Sequence, residues 1–148
     1  MHRRNFVLSL LSLLVLSPIS ALAEAISQSW NKAAFETAKI NEAIKNLAIN
    51  NETVSKEIKI IAPDRAENGA IVQVEIRSNL PNTESIAILV EKNPTPLIAT
   101  FNFKNGAEPY VITRIKMAET SDIKIIVKAD GQYFTNAKNV VVLENGCG

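Results

Sequence analysis

Seven short runs rich in β-branched and aliphatic residues fill the chain from residue 58 onward, and they restrict its fold more than any other feature. They cover residues 58–62, 71–77, 86–91, 97–103, 110–117, 123–129 and 138–143. Turn formers separate them: Asn68-Gly69, Pro81-Asn82, Asn93-Pro94, Asn105-Gly106 and Asp130-Gly131. Side chains of this kind pack well on a pleated surface, and the turn pairs supply the backbone angles that reverse a strand. The spacing predicts a mainly β, antiparallel sandwich. Val72, Val74 and Ile76 alternate with Gln73, Glu75 and Arg77, which gives that run one buried face and one wet face. Lys124 and Lys128 read in the same way, as the solvated face of a strand. No internal repeat, low-complexity stretch or Gly-rich phosphate loop interrupts the pattern.

A helical segment is expected ahead of the strands. Trp30, Ala33, Ala34, Ile40, Ile44 and Leu47 recur at helical spacing, with Ser27 or Ser29 as a cap. One helix or two short ones satisfy this pattern, and Asn50-Asn51 supplies a stop. Trp30 and Phe35 are expected to anchor the helix on the sheet or on a partner.

The first residues follow a different logic. Arg3 and Arg4 precede an apolar run over 6–16, a break at Pro18 and the small-residue site Ala21-Leu22-Ala23. That order is the pattern of a cleaved export signal covering 1–23. A membrane span needs about twenty continuous apolar residues, more than this run offers, so no membrane anchor is expected. Arg3-Arg4 followed by Asn5-Phe6-Val7 resembles a twin-arginine signal. A general secretory leader is the alternative, and both routes end outside the cytoplasm. The expected organisation is a leader over 1–23, a helix-plus-sandwich domain over 24–143 and a flexible arm over 144–148.

Loss of residues 1–23 removes Arg3 and Arg4 and no acid, so the formal charge of +1 becomes about −1. Phosphate binding needs clustered Lys and Arg, so nucleic acid and anionic membranes are not expected partners. His2 is the sole histidine and leaves with the leader. The mature chain then holds no imidazole, which excludes a Ser/His/Asp triad, a Cys/His dyad and a His-bearing zinc site built by this chain alone. A single cysteine also excludes thiolate clusters and internal disulfides. The 15 acidic residues leave a carboxylate pair open, but no local motif brings two together.

That cysteine, Cys147, stands in the sequence Glu144-Asn145-Gly146-Cys147-Gly148 after the last apolar run. Glycine on both sides removes side-chain bulk and widens the backbone angles available, so the tip is expected to enter a narrow cleft on another protein. Extended backbone carries the thiol at most about 14 Å from Leu143. An accessible thiol in an oxidising compartment is open to oxidation and dimerisation. Sulfur chemistry accounts for its presence: a thiolate is nucleophilic, forms persulfide or thiosulfonate adducts, and the sulfur–sulfur bond is later broken by exchange. An incidental tail cysteine or an intermolecular disulfide is the plainer alternative.

Several separated segments resemble one family. They are Ala62-Pro63-Asp64-Arg65-Ala66-Glu67-Asn68-Gly69-Ala70, Asn93-Pro94-Thr95-Pro96, Ala99-Thr100-Phe101-Asn102-Phe103, Thr113-Arg114-Ile115-Lys116-Met117-Ala118, Ala129-Asp130-Gly131 and the terminal Gly146-Cys147-Gly148. In this order they resemble SoxY, the sulfur-carrying subunit of the SoxYZ complex of bacterial thiosulfate oxidation. The resemblance implies an immunoglobulin-like antiparallel β-sandwich preceded by helix, paired with a SoxZ-like subunit as a heterodimer or larger assembly in the periplasm. It implies that the haem enzyme SoxXA conjugates thiosulfate to Cys147, that SoxB releases sulfate by hydrolysis, and that a sulfane dehydrogenase in some organisms oxidises the remaining sulfur. The carrier then catalyses none of these steps and holds no cofactor of its own. Cys147 is the implied attachment point, with Asn145, Gly146 and Gly148 as the arm.

The family typically places two glycines on each side of the cysteine. Here Asn145 replaces one and the sequence stops after Gly148, so the arm is shorter and stiffer. Glu144 and the α-carboxylate of Gly148 put negative charge near the sulfur, which disfavours the thiolate and makes activation depend on a partner's positive pocket. Residues 67–69 and 93–96 are good turn formers, expected as loops first and contact surfaces second. Two other functional classes stay open from the residues alone: a single-cysteine thiol redox protein, and a structural β-sandwich binding module.

Overall fold

The computed structural model describes residues 31–144. The expected leader, Ser27, Ser29, Trp30 and the arm residues Asn145, Gly146, Cys147 and Gly148 lie outside the described residues.

The helical segment forms two short helices, α1 (Lys32–Glu36) and α2 (Ile40–Asn46). Asn31 caps α1 by accepting the Ala34 amide at 3.2 Å. The same side chain donates to the Asn46 carbonyl at 2.9 Å, and Asn46 donates back to Ala33 at 2.9 Å, so two asparagines tie the helices together. Thr37, in extended conformation, breaks the helix between them. Termination of α2 comes ahead of the expected Asn50-Asn51 stop: Ala48 turns left-handed at φ 59, and Ile49 donates to Ile44 while Ala48 donates to Lys45. That pair of bonds is a Schellman ending.

Nine strands follow among the described residues: β1 (Thr53–Val54), β2 (Ile58–Ile61), β3 (Arg65–Asn68), β4 (Val72–Ser78), β5 (Thr83–Val90), β6 (Leu97–Asn102), β7 (Tyr110–Ile115), β8 (Ser121–Ala129) and β9 (Gln132–Glu144). Six of them form one sheet, with β1, β9, β8, β5 and β6 in order and β3 also paired to β9. The other three form a second sheet in the order β2, β4, β7. This is the immunoglobulin-like sandwich, mostly antiparallel as the runs of the sequence predict.

Two details differ from that expectation. β1 and β3 were not among the seven runs, and both pair with β9 in parallel. Neither has an apolar run: each is short, and its backbone bonds are supplied by an edge that already exists. β9 also starts at Gln132, six residues ahead of the apolar run at 138, because the two-residue loop Asp130-Gly131 closes a tight hairpin with Ala129 opposite Gln132. Both loop residues have positive φ, 48 and 71, as this hairpin turn requires.

The core lies between the sheets. Ile86, Ile88 and Val90 of β5 and Ile123, Ile125 and Val127 of β8 point inward to meet Ile58, Val72, Val74 and Ile76, all buried. β5 is buried on both faces, since Ala87 and Leu89 meet Ala34, Ala43 and Ile126 under the helices. Phe35 packs against this second cluster, as the helical pattern implied.

Burial on both faces corrects the reading of Lys124 and Lys128 as a solvated face. They share the outward face of β8 with Ile126. Lys124 is paired with Glu52, each side chain 24% exposed. Lys128 bonds the Glu84 carboxylate at 2.7 Å. The cause is the helical layer, which covers part of a face that a strand alone would leave wet.

Candidate functional site

β9 ends at Glu144, the last described residue and three positions before Cys147 in the sequence. β9 is held there on both edges. Val141 donates its amide to Asp64 at 3.0 Å on the β3 edge, and Val142 donates to the Thr120 hydroxyl at 2.9 Å on the other. Alternate residues of a strand point their amides to opposite sides, so these two bonds grip the strand from left and right. Beyond them Gly69 donates to the Glu144 carbonyl at 2.9 Å.

Three of the sequence segments that carry the resemblance converge on this point. Gly69, from residues 62–70, is buried; its carbonyl accepts the Met117 amide at 2.8 Å. Met117, from residues 113–118, is fully buried. Asn93, from residues 93–96, flanks it: Nδ2 donates to the Lys116 carbonyl at 2.8 Å, and Oδ1 accepts the Ala118 amide at 2.8 Å. Asn93 is 9% exposed, so its amide is satisfied inside the protein. Asn68 Oδ1 accepts the Ala70 amide at 2.7 Å and fixes the turn that presents Gly69.

Residues 93–96 form the loop between β5 and β6, and Gly69 lies in a turn, both as expected, whereas residues 67 and 68 belong to a strand. Residues 65–68 are strand β3, bonded along β9, and the Asn93 side chain points inward. Pro94 and Thr95 do stay exposed. The sequence missed the roles of Gly69, Asn93, Met117 and Thr120, because a hydrogen bond between segments more than twenty residues apart leaves no mark in local spacing. The one available signal was that three family segments held residues suited to turns and caps.

Electrostatics reinforce the same edge. Lys138 on β9 bonds Asp64 at 2.9 Å, and that hydrogen bond together with the lysine charge holds the Asp64 carboxyl below its ordinary range. The Asp64 carbonyl is the acceptor for Val141, so the ion pair sits on the residue that starts the β3 to β9 pairing. Among the described residues, no three His, Cys, Asp or Glu side chains gather where they could hold a metal ion. No described helix is long and apolar enough to cross a membrane. What the arrangement does is mechanical: it holds the end of β9 on both edges as far as Glu144.

Comparison with known proteins identifies the family and the fold. The pattern of the family described as sulfur oxidation protein SoxY matches residues 44–147. Among solved structures, the sulfur carrier protein SoxY from Chlorobium limicola f thiosulfatophilum is 31% identical, with a TM-score of 0.64 over 70% of this chain and 96% of that one. Superoxide reductase (neelaredoxin) from Ignicoccus hospitalis is 22% identical, with a TM-score of 0.52 over 57% of this chain and 79% of that one. At that identity the likeness shows the fold alone. No curated protein matches the chain.

Fold and comparisons together define an immunoglobulin-like sandwich protein of sulfur oxidation. The chain belongs to the SoxY family.

Proposed function

We propose that this protein carries sulfur intermediates of thiosulfate oxidation on Cys147, in the periplasm, and presents them to partner enzymes without catalysing their conversion. The observation that carries the reading is the anchoring of β9 as far as Glu144 by Gly69, Asp64 and Thr120. Cys147 follows only three residues later, so the domain supplies a fixed base for a short reach.

The proposed loading step joins the Cys147 thiolate to the outer sulfur of thiosulfate. The new sulfur–sulfur bond releases two electrons, which a haem enzyme of the SoxXA kind accepts. Water then attacks the terminal sulfone on an enzyme of the SoxB kind; sulfate and two protons leave, and a persulfide stays on Cys147. A sulfane dehydrogenase is the proposed consumer of that persulfide. The thiol suits this cycle because the sulfur–sulfur bond is covalent enough to retain a small anion and labile enough to exchange.

A SoxZ-like subunit is the proposed stable partner. Ile61 and Ile112 occupy one cross-strand row with Glu75 between them on the outer face of the β2–β4–β7 sheet, and both are more than half exposed. The helices cover the outer face of the other sheet, so this row is the apolar surface that a partner subunit would remove from water.

Mass spectrometry of the native protein tests the carrier reading. Thiosulfonate-sized or sulfur-atom additions confined to the peptide containing Cys147 are expected. Cys147→Ser should keep its fold and partner binding yet abolish thiosulfate-dependent turnover with the partner enzymes. Undiminished turnover by that variant would falsify the assignment. Disulfide-reductase activity of the isolated chain would favour a thiol redox protein instead.

A further inference from the structure

We propose that Asn93 is a positioning residue for the carrier arm: it acts through the connection between β7 and β8 to set the direction in which the chain leaves β9. The proposal rests on the carrier reading above for its purpose, and on described hydrogen bonds for its geometry.

Asn93 uses both ends of its amide on backbone groups of one short connection, the Lys116 carbonyl and the Ala118 amide, each at 2.8 Å. Its own backbone amide donates to Val90 at 3.2 Å, which ties the residue to the end of β5. Met117 lies between the two clamped groups and is fully buried, so the connection is held at one point by packing and at two by Asn93. From there two bonds reach the arm. Met117 donates to Gly69 at 2.8 Å, and Gly69 donates to Glu144 at 2.9 Å. The far end of the same connection contributes Thr120, whose hydroxyl accepts the Val142 amide at 2.9 Å. One connection therefore contacts the end of β9 through two routes, and Asn93 fixes that connection to the end of β5.

The short distance beyond Glu144 makes this geometry matter. Three residues of extended backbone place the Cys147 Cα at most about 10 Å from the Glu144 Cα. A longer arm would average over a change in its starting direction, whereas a short one converts a tilt at its base into a displacement of comparable size at its tip. Transfer between proteins is sensitive to such displacement, since misplacement by about 1 Å can cost on the order of a hundredfold in rate. Asn93 belongs to no strand, and its bonds go to connection backbone, so its amide bears on the placement of the connection rather than on the ladder of either sheet.

The test uses the full chain with a nitroxide on Cys147 and a second on exposed β4 through Gln73→Cys. Pulsed electron resonance reads the distance distribution between them. Asn93→Ala and, separately, Thr120→Val are expected to widen or shift that distribution, because each frees one hold on the base. Asn93→Asp keeps the acceptor for Ala118 and should fall between wild type and Asn93→Ala. A core variant, Ile88→Val, supplies the control, because a merely structural role predicts the same distribution as any variant of equal stability loss. With partner enzymes, kcat/KM for thiosulfate loading should fall about tenfold in Asn93→Ala, while alkylation of Cys147 by iodoacetamide keeps its rate. An unchanged distribution in Asn93→Ala overturns the proposal; Asn93→Asp decides alone if Asn93→Ala does not fold. Absence of sulfur adducts on the native protein would defeat the carrier reading but leave this distance measurement intact, so the two failures are distinguishable.

Discussion

The Gly69 amide donates to the Glu144 carbonyl at 2.9 Å, joining a turn that follows β3 to the last described residue of β9. Seventy-five positions separate the two in the sequence, and the parallel pairing of Arg65–Asn68 with β9 brings them together.

Removing that donor should release the end of the strand first. Proline at position 69 has no amide hydrogen to give, so Gly69→Pro leaves a carbonyl at the arm base without its partner. Water can reach the exposed Glu144, so the expected loss of stability is about 0.5–1.5 kcal/mol. Amide hydrogen exchange should accelerate most at Val141, Val142 and Leu143 and least in the β5–β8 ladder. Uniform acceleration along both sheets would mean that Gly69 supports the whole fold rather than the arm base.

Ala48 ends α2 in the left-handed region at φ 59, where a side chain is strained and glycine is not. It is exposed, so its methyl group contributes little packing. Ala48→Gly is expected to stabilise the protein by about 0.5–1 kcal/mol. Urea unfolding should show a higher midpoint with an unchanged slope. A lower midpoint would show that the unfolded-state entropy of glycine outweighs the relieved strain.

Glu84 fastens the hairpin of Asp130-Gly131 to β5. Its carboxylate takes Lys128 at 2.7 Å and the Gly131 amide at 2.8 Å, and these bonds, the lysine first, hold its carboxyl below the ordinary range. Lys128 is correspondingly raised above the ordinary lysine range, by the hydrogen bond and charge of Glu84. A depressed carboxyl contributes stability that is present above its unfolded value and lost as pH falls through the folded one. A raised amine contributes stability that is present below its unfolded value and lost as pH rises through the folded one. Glu84→Gln should therefore flatten the acid limb of a stability-against-pH curve, and Lys128→Gln the alkaline limb. Equal slopes in wild type and Glu84→Gln between about pH 5 and pH 3 would show that other carboxylates, such as Asp64, govern the acid limb.

Lys124 and Glu52 form a largely covered pair in the wall of a cleft of about 550 Å³, lined also by Ile40, Ile44, Val54 and Thr135. Glu52 Oε2 is buried without a hydrogen-bond partner, so the carboxylate depends on the lysine. Lys124→Met removes the only cation paired with it among the described residues, and should cost about 1–3 kcal/mol. Adding Glu52→Gln to that variant should recover part of the loss in thermal unfolding, since the buried charge goes with it. A strictly additive double variant would show that the two side chains do not act as a pair.

The sandwich was legible because β-branched runs and turn pairs are local signals. Val72, Val74 and Ile76 alternate with polar residues and are buried in the structure as that alternation requires, while Asp130-Gly131 makes the tight turn its residue types favour. β3 was not legible. Arg65-Ala66-Glu67-Asn68 has no apolar alternation, and its strand character comes from the β9 edge beside it. Lys124 failed for a related reason: its outward position was read correctly, but the helical layer and Glu52 cover that face from far along the sequence. Cys147 stood out as a chemical singularity, whereas the residues that fix the base of its arm are ordinary turn and cap formers whose meaning exists only in three dimensions.

Glu144 is the charged residue of β9 nearest to Cys147 in the sequence. It is exposed at the end of β9 and precedes Cys147 by three residues, a backbone reach of at most about 10 Å against a Debye length of about 8 Å at physiological salt. A carboxylate at that range opposes formation of a second negative charge, so the expected effect is a lower thiolate fraction at neutral pH. Glu144→Gln should raise the rate of iodoacetamide alkylation at pH 7, by less than about twofold at 0.15 M salt and by more at 0.01 M, where screening reaches about 30 Å. The limiting rate at high pH, where every thiol is ionised, should be the same in both proteins. If the variant and wild type react equally at low salt and pH 7, Glu144 does not restrain the thiol, and a partner's cationic pocket would not be needed to offset it.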